Sequence, residues 1–287
     1  METFWHIVWH GTLDSLTVLP FLFLTYLLME ALEHKAGDKV KAAVAKAGRA
    51  GPAIGGALGL VPQCGFSTMA AGFFAGRVVT PGTLLAVFLA TSDEMLPVFL
   101  GEGIAPSKIL TVLGIKLILA LAVGFGTDLL LHKHIEGMHV EELCEDEGCH
   151  CENGILRSAI HHTLFIFAFI LIINLGLTAV FELVGEEPIA KAVNSLPVLG
   201  TVLAALLGLI PNCAVSVAIA TLWANGIITG GAMLAGLLTG AGAGLLVLFR
   251  TNRHLKENLL LTAVLLGSGI LFGVLFDLAG LCTLLGL

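Results

Sequence analysis

The chain repeats itself. Residues 51–89 and 200–238 align without a gap at a fixed offset of 149, with about a third of positions identical. Each copy centres on the same awkward phrase, Gly59-Leu60-Val61-Pro62-Gln63-Cys64 and Gly208-Leu209-Ile210-Pro211-Asn212-Cys213. Both phrases lie inside apolar stretches, where a proline removes a backbone donor and breaks a helix. Two related, interrupted hydrophobic segments in corresponding halves are the pattern that points to a midplane binding site in secondary transporters.

The surrounding composition places these breaks in a membrane. Mean hydropathy is +0.98, and only 12% of residues are charged, against about 25% in soluble domains. Apolar runs near the roughly 20 residues that cross a bilayer occur at 13–32, 53–75, 84–100, 109–131, 158–184, 198–224, 232–249 and 259–278. The expected fold is therefore an all-α polytopic membrane protein. The first run is too long for a signal core and no basic region precedes it, so a cleaved signal is not expected. Trp5 and Trp9 read as interfacial anchors. Six cysteines scattered over the chain do not read as a disulfide framework.

The offset reaches beyond the central phrase: Glu33 falls on Glu182 and Asp128 on Asp277. The chain thus divides into a first transmembrane repeat at 1–131, a linker at 132–155 and a second repeat at 156–287. Most of the net charge of −7 comes from the linker, which carries Glu136, Glu141, Glu142, Glu145, Asp146, Glu147 and Glu152 against Lys133. The charge is local and implies no nucleic-acid partner; the expected partners are the lipid bilayer and a small inorganic ion.

The arms flanking each proline are about 14 residues long, which as helix reaches roughly 20 Å, short of a hydrocarbon core of about 30 Å. Each pair of arms forms either a re-entrant hairpin or one broken spanning helix. A hairpin leaves three crossings per half, so the halves are inverted; a spanning helix leaves four and makes them parallel. Both arrangements put Lys35, Lys39, Lys41, Lys46, Arg49, Arg250, Arg253 and Lys256 inside. The hairpin adds Arg77, Lys133 and Arg157 and leaves Lys108 and Lys191 outside. The arm lengths favour the inverted hairpin arrangement.

Four groups of residues carry chemistry. At the breaks, Pro62, Gln63, Cys64 and Ser67 match Pro211, Asn212, Cys213 and Ser216; freed carbonyls, half-helix amides and thiols there could bind an ion. The competing reading is close packing of small residues such as Gly55, Gly59, Gly72 and Gly76. Asp93 and Glu94 lie within the third run, where charge is costly and marks function, unless that stretch sits at the membrane surface. The matching positions are Gly242 and Ala243. His6, His10 and Asp14 share one helix face, and with His161 and His162 could form an access site or proton relay. Lys116 at midspan is either a counter-charge for Asp93 or Glu94 or a snorkelling side chain. Finally, Cys144, Cys149, His150 and Cys151 in the linker could bind zinc or a similar metal, although a disordered acidic loop would look much the same. No motif requires a cofactor, and the chain lacks the phosphate loop of an ATP-driven pump.

At these residues the chain resembles the ten-helix heavy-metal exporter family, whose members are labelled arsenic efflux protein or manganese transporter. The resemblance covers nearly the whole length. It rests on Asp14, Leu19-Pro20-Phe21-Leu22, Met29-Glu30-Ala31-Leu32-Glu33-His34, Val61-Pro62-Gln63-Cys64-Gly65, Thr91-Ser92-Asp93-Glu94, the Cys/His linker and Ile210-Pro211-Asn212-Cys213. It implies export of a metal or metalloid from the bacterial cytoplasm, through five helical pieces per half in the inner membrane.

The expected function is a proton-coupled secondary transporter of a divalent cation such as manganese, or of an arsenical, rather than an enzyme. An ion-coupled anion carrier is the alternative, and a thiol oxidoreductase using Cys64 and Cys213 a third. The glycine-rich stretch 236–244 could serve internal packing or a homodimer interface.

Overall fold

The computed structural model describes residues 48–61, 65–92, 95–130, 155–184 and 197–280, together with scattered helical positions between 12 and 27. Among the described residues there is no strand. A 3-10 turn at Gly48–Ala50 leads into α1 (Gly51–Gly59), α2 (Gly65–Ala75), α3 (Pro81–Ala90), α4 (Met95–Gly101) and α5 (Pro106–Leu130). Beyond the linker come α6 (Ile155–Val184), α7 (Pro197–Gly208), α8 (Cys213–Ala224), α9 (Gly230–Thr239), α10 (Ala243–Thr251) and α11 (Leu255–Leu278). Among the described residues, four segments are long and apolar enough to cross a membrane: α3 with α4, α5, α9 with α10, and α11. They mark the chain as a membrane protein.

The expected third and seventh runs are each interrupted. The third divides into α3 and α4 around Thr91 and Ser92, as a stretch unwound before Pro97 would. The seventh, expected as a continuous helix, divides into α9 and α10 at residues 240–242. Gly242 there has φ 54° and ψ −144°, a conformation open essentially only to glycine. These broken helices lie inside the protein, 69% and 83% buried, whereas the unbroken α5 and α11 are 28% and 22% buried. Irregular backbone is tolerated at membrane depth only where protein surrounds it, while α5 and α11 turn leucines such as Leu110, Leu129, Leu271 and Leu278 outward.

Small residues set the packing. A Cβ on Gly82 would meet the Gly124 carbonyl at 2.1 Å, and one on Gly231 would meet the Gly273 carbonyl at 2.3 Å. Helices α3 and α5, and α9 and α11, therefore approach backbone to backbone. At the start of α3, Thr80 caps by accepting from the Thr83 amide; Thr229 caps α9 from the Ala232 amide. A carboxylate joins each cap. Asp128 accepts from the Thr80 hydroxyl and the Gly82 amide, both at 2.7 Å. Asp277 accepts from the Thr229 hydroxyl and the Gly231 amide, both at 2.9 Å. An anion at a helix N-terminus satisfies orphan amides and opposes the dipole.

These contacts give directions. Gly51 lies against Thr83, and Gly59 against Val87 and Ala90, so α1 runs alongside α3 in the same sense. Helix α2 ends only a short turn before α3 begins, so it returns against α1. Likewise Gly208 packs on Gly236 and Thr239 while Thr201 donates to Asp277, so α7 runs with α9 and α8 returns.

Candidate functional site

The breaks converge. Thr91 and Ser92 from the α3–α4 break, Gly240 and Gly242 from the α9–α10 break, and Cys213 from the start of α8 line one cavity with Met95, Ser216 and Leu237. Its volume is about 10 Å³, near the size of a single water or a bare ion. An organic solute would have to open it.

Each break satisfies its stranded backbone differently. In the first half the Thr91 hydroxyl donates to the Val87 carbonyl and Ser92 to the Ala90 carbonyl, both at 2.8 Å. In the second half the single Thr239 hydroxyl proton has three carbonyls in reach, Ala205 across on α7 at 2.8 Å and Ala235 and Gly236 at 3.1 Å, and the Ala205 carbonyl is the nearest. Hydroxyls thus fold back onto the last carbonyls of each helix, at Val87 beside the Thr91 amide that the same carbonyl already accepts. Asn212 caps α8, its side-chain oxygen accepting from the Ala214 amide at 2.8 Å. Its role at the break is therefore at least partly architectural.

Lys116 reaches this point from α5. It lies on the inward face with Val112, Ala120 and Gly124, and is 0% exposed. Its ammonium donates to the Thr91 carbonyl and to the Leu237 carbonyl, the latter at 2.8 Å. The snorkelling alternative is corrected: at midspan and fully enclosed, the side chain has no path to the interface. The matching position in α11 is the buried Leu265, so the ammonium serves the breaks of both halves from one side.

No family model, curated protein or solved structure matches this chain. Its site must be read from its own geometry.

Of the residues singled out from sequence, Ser67, Lys116, His161, Pro211, Asn212, Cys213 and Ser216 are described. Cys213 and Ser216 line the cavity, whereas Ser67 is fully buried where α2 crosses α10: a Cβ on Gly244 would lie 2.8 Å from Ser67. His161 is exposed near the start of α6. Pro62, Gln63, Cys64, Asp93, Glu94, His6, His10, Asp14, Cys144, Cys149, His150 and Cys151 lie outside the described residues, as does the side chain of His162. Among the described residues, no three His, Cys, Asp or Glu side chains form a metal cluster. Sequence reasoning did not single out Thr91, Met95, Leu237 and Gly240 as cavity lining. The one signal for Met95 and Thr91 was their place beside Asp93 and Glu94.

Proposed function

We propose that the chain is a secondary transporter of the bacterial cytoplasmic membrane, built from two inverted repeats, that exports a metal or metalloid ion in exchange for protons. The observation that carries this reading is an ion-sized cavity at the meeting of helix breaks from both halves, beside a fully buried lysine. Binding at discontinuous helices is how such carriers hold cargo between two gates.

Inversion is supported by two contacts. Arg77, in the turn after α2, pairs with Glu257 at the start of α11 at 2.8 Å. It does so from a φ of 55°, where the matching residue is Gly226. The pair sets the beginning of α3 level with the beginning of α11. Asp277 sits twenty residues further along α11, roughly 30 Å away, and holds the beginning of α9. Helices α3 and α9 then start at opposite faces and end at Lys116 between them. In this arrangement α1–α2 and α7–α8 are re-entrant hairpins. Reciprocal packing of α2 on α10 and α8 on α4, pairs related by the same offset, is what a two-fold between the halves requires.

Cys64, Cys213, Gln63, Asn212, Asp93 and Glu94 are the proposed cargo and proton groups, with rocking of the halves giving alternating access. An anion carrier is the second reading, favoured by the Lys116 charge and by the N-termini of α8 and α10 at the cavity. Flux in proteoliposomes decides between them. Mn²⁺, Zn²⁺, Fe²⁺, arsenite and phosphate are offered with and without a pH gradient. The account predicts gradient-dependent movement of one metal or metalloid, reduced at least tenfold in Asp93→Asn/Glu94→Gln. Phosphate flux alone would move the anion reading to first place, and no flux from folded protein would sink both.

A further inference from the structure

Among the described residues, the Lys116 ammonium bonds two main-chain carbonyls at the C-terminal ends of broken helices. Thr91 follows the last turn of α3, and Leu237 lies in the last turn of α9. Such ends carry the negative pole of the helix dipole and lack following amides. Carbonyls freed at the ends of discontinuous helices are also the oxygen ligands that carriers use for a bound monovalent cation. Here both belong to different halves, and both point at one nitrogen. From these bonds we infer that the Thr91 and Leu237 carbonyls form part of a monovalent-cation site, and that Lys116 fills it with a tethered ammonium.

The chemistry fits an ammonium well. It is a compact charge with three donors, able to meet carbonyls from two directions at once, which the planar fork of arginine does less readily. The α5 backbone supplies the tether, with Val112 and Ala120 one turn to either side. In the second half Leu265 occupies the matching place, so no second ammonium enters from α11. The site is built once, on the line where the halves meet. A bound Na⁺ or K⁺ is thereby unnecessary for holding the breaks together. That consequence for coupling rests on the transporter reading, whereas the cation site itself does not.

The test therefore reads stability and needs no transport. Lys116→Ala removes the propylammonium portion of the side chain and leaves its volume empty. Thermal unfolding of the purified full-length protein in detergent is followed in equal concentrations of propylammonium, potassium or choline chloride. The expected result is a Tm lowered by about 10 °C in choline, with at least half the loss restored by propylammonium. Wild type should respond equally to all three salts. Lys116→Met, a neutral side chain of similar length, provides the second arm. It should melt below wild type and gain nothing from propylammonium, because its own chain fills the space. Should Lys116→Ala fold only when propylammonium is present, the site is supported; should it fail to fold in every salt, Lys116→Met decides alone. A Lys116→Met protein as stable as wild type, or a folded Lys116→Ala protein that answers choline and propylammonium alike, would overturn the assignment.

Discussion

Gly82→Ala and Gly231→Ala will each largely abolish recovery of folded protein. The added methyl carbon would lie 2.1 Å from the Gly124 carbonyl and 2.5 Å from the Asp128 carboxyl carbon. At Gly231 both the Gly273 carbonyl and the Asp277 carboxyl carbon would lie at 2.3 Å. Neither neighbour can yield cheaply. Moving the carbonyl means parting two transmembrane helices, and moving the carboxylate means losing the cap on α3 or α9. Overpacking a rigid contact costs about 1–3 kcal/mol and occasionally more; with the cap lost as well, at least about 3 kcal/mol is expected. Gly114→Ala and Gly267→Ala are the controls, because nothing lies within 4 Å of where either added methyl would sit. Fluorescence-detected size-exclusion chromatography and Tm check the contrast. Wild-type behaviour of the Gly82 and Gly231 variants would mean that the helices do not approach this closely.

Lys116→Leu carries the second large effect. It installs the residue found at the matching position, Leu265, so side-chain volume and helix preference are nearly kept. What disappears is the donor to Thr91 and Leu237. Stranding a buried acceptor costs about 1–3 kcal/mol. Two carbonyls together make a loss of about 3 kcal/mol the expected scale. Flux should fall at least tenfold even where the variant still folds, because the breaks of both halves lose their common anchor. Lys116→Leu with wild-type flux and wild-type Tm would remove the lysine from the site.

Much of the architecture is legible in the sequence alone. Pro62 and Pro211 announce a break because proline cannot continue a helix, and the offset of 149 makes the two breaks one motif. The same offset pairs Asp128 with Asp277, but their role as partners of Thr80 and Thr229 depends on helix packing 46–48 residues away in sequence. The α9–α10 break was less legible. Gly240 and Gly242 look like packing glycines until φ at Gly242 is known, and no proline marks the place. The carbonyl partners of Lys116 could not be read from the sequence. Leu237 lies 121 residues away, and a main-chain carbonyl leaves no trace in side-chain identity. The α3–α4 break has a local cause in Thr91 and Ser92, whose hydroxyls turn back onto the Val87 and Ala90 carbonyls.

Opposite orientation of the two halves is the claim from which the site follows. Val78 and Ile227 are matching positions, one in the turn before α3 and the other in the turn before α9. Single cysteines at these two positions, in a background with the six native cysteines replaced by serine, would be labelled in intact cells by a membrane-impermeant maleimide before and after permeabilisation. The account predicts that Ile227→Cys reacts from outside and Val78→Cys only after permeabilisation. Labelling of both from the same side would contradict the inversion, and with it the meeting of α3 and α9 end to end at Lys116.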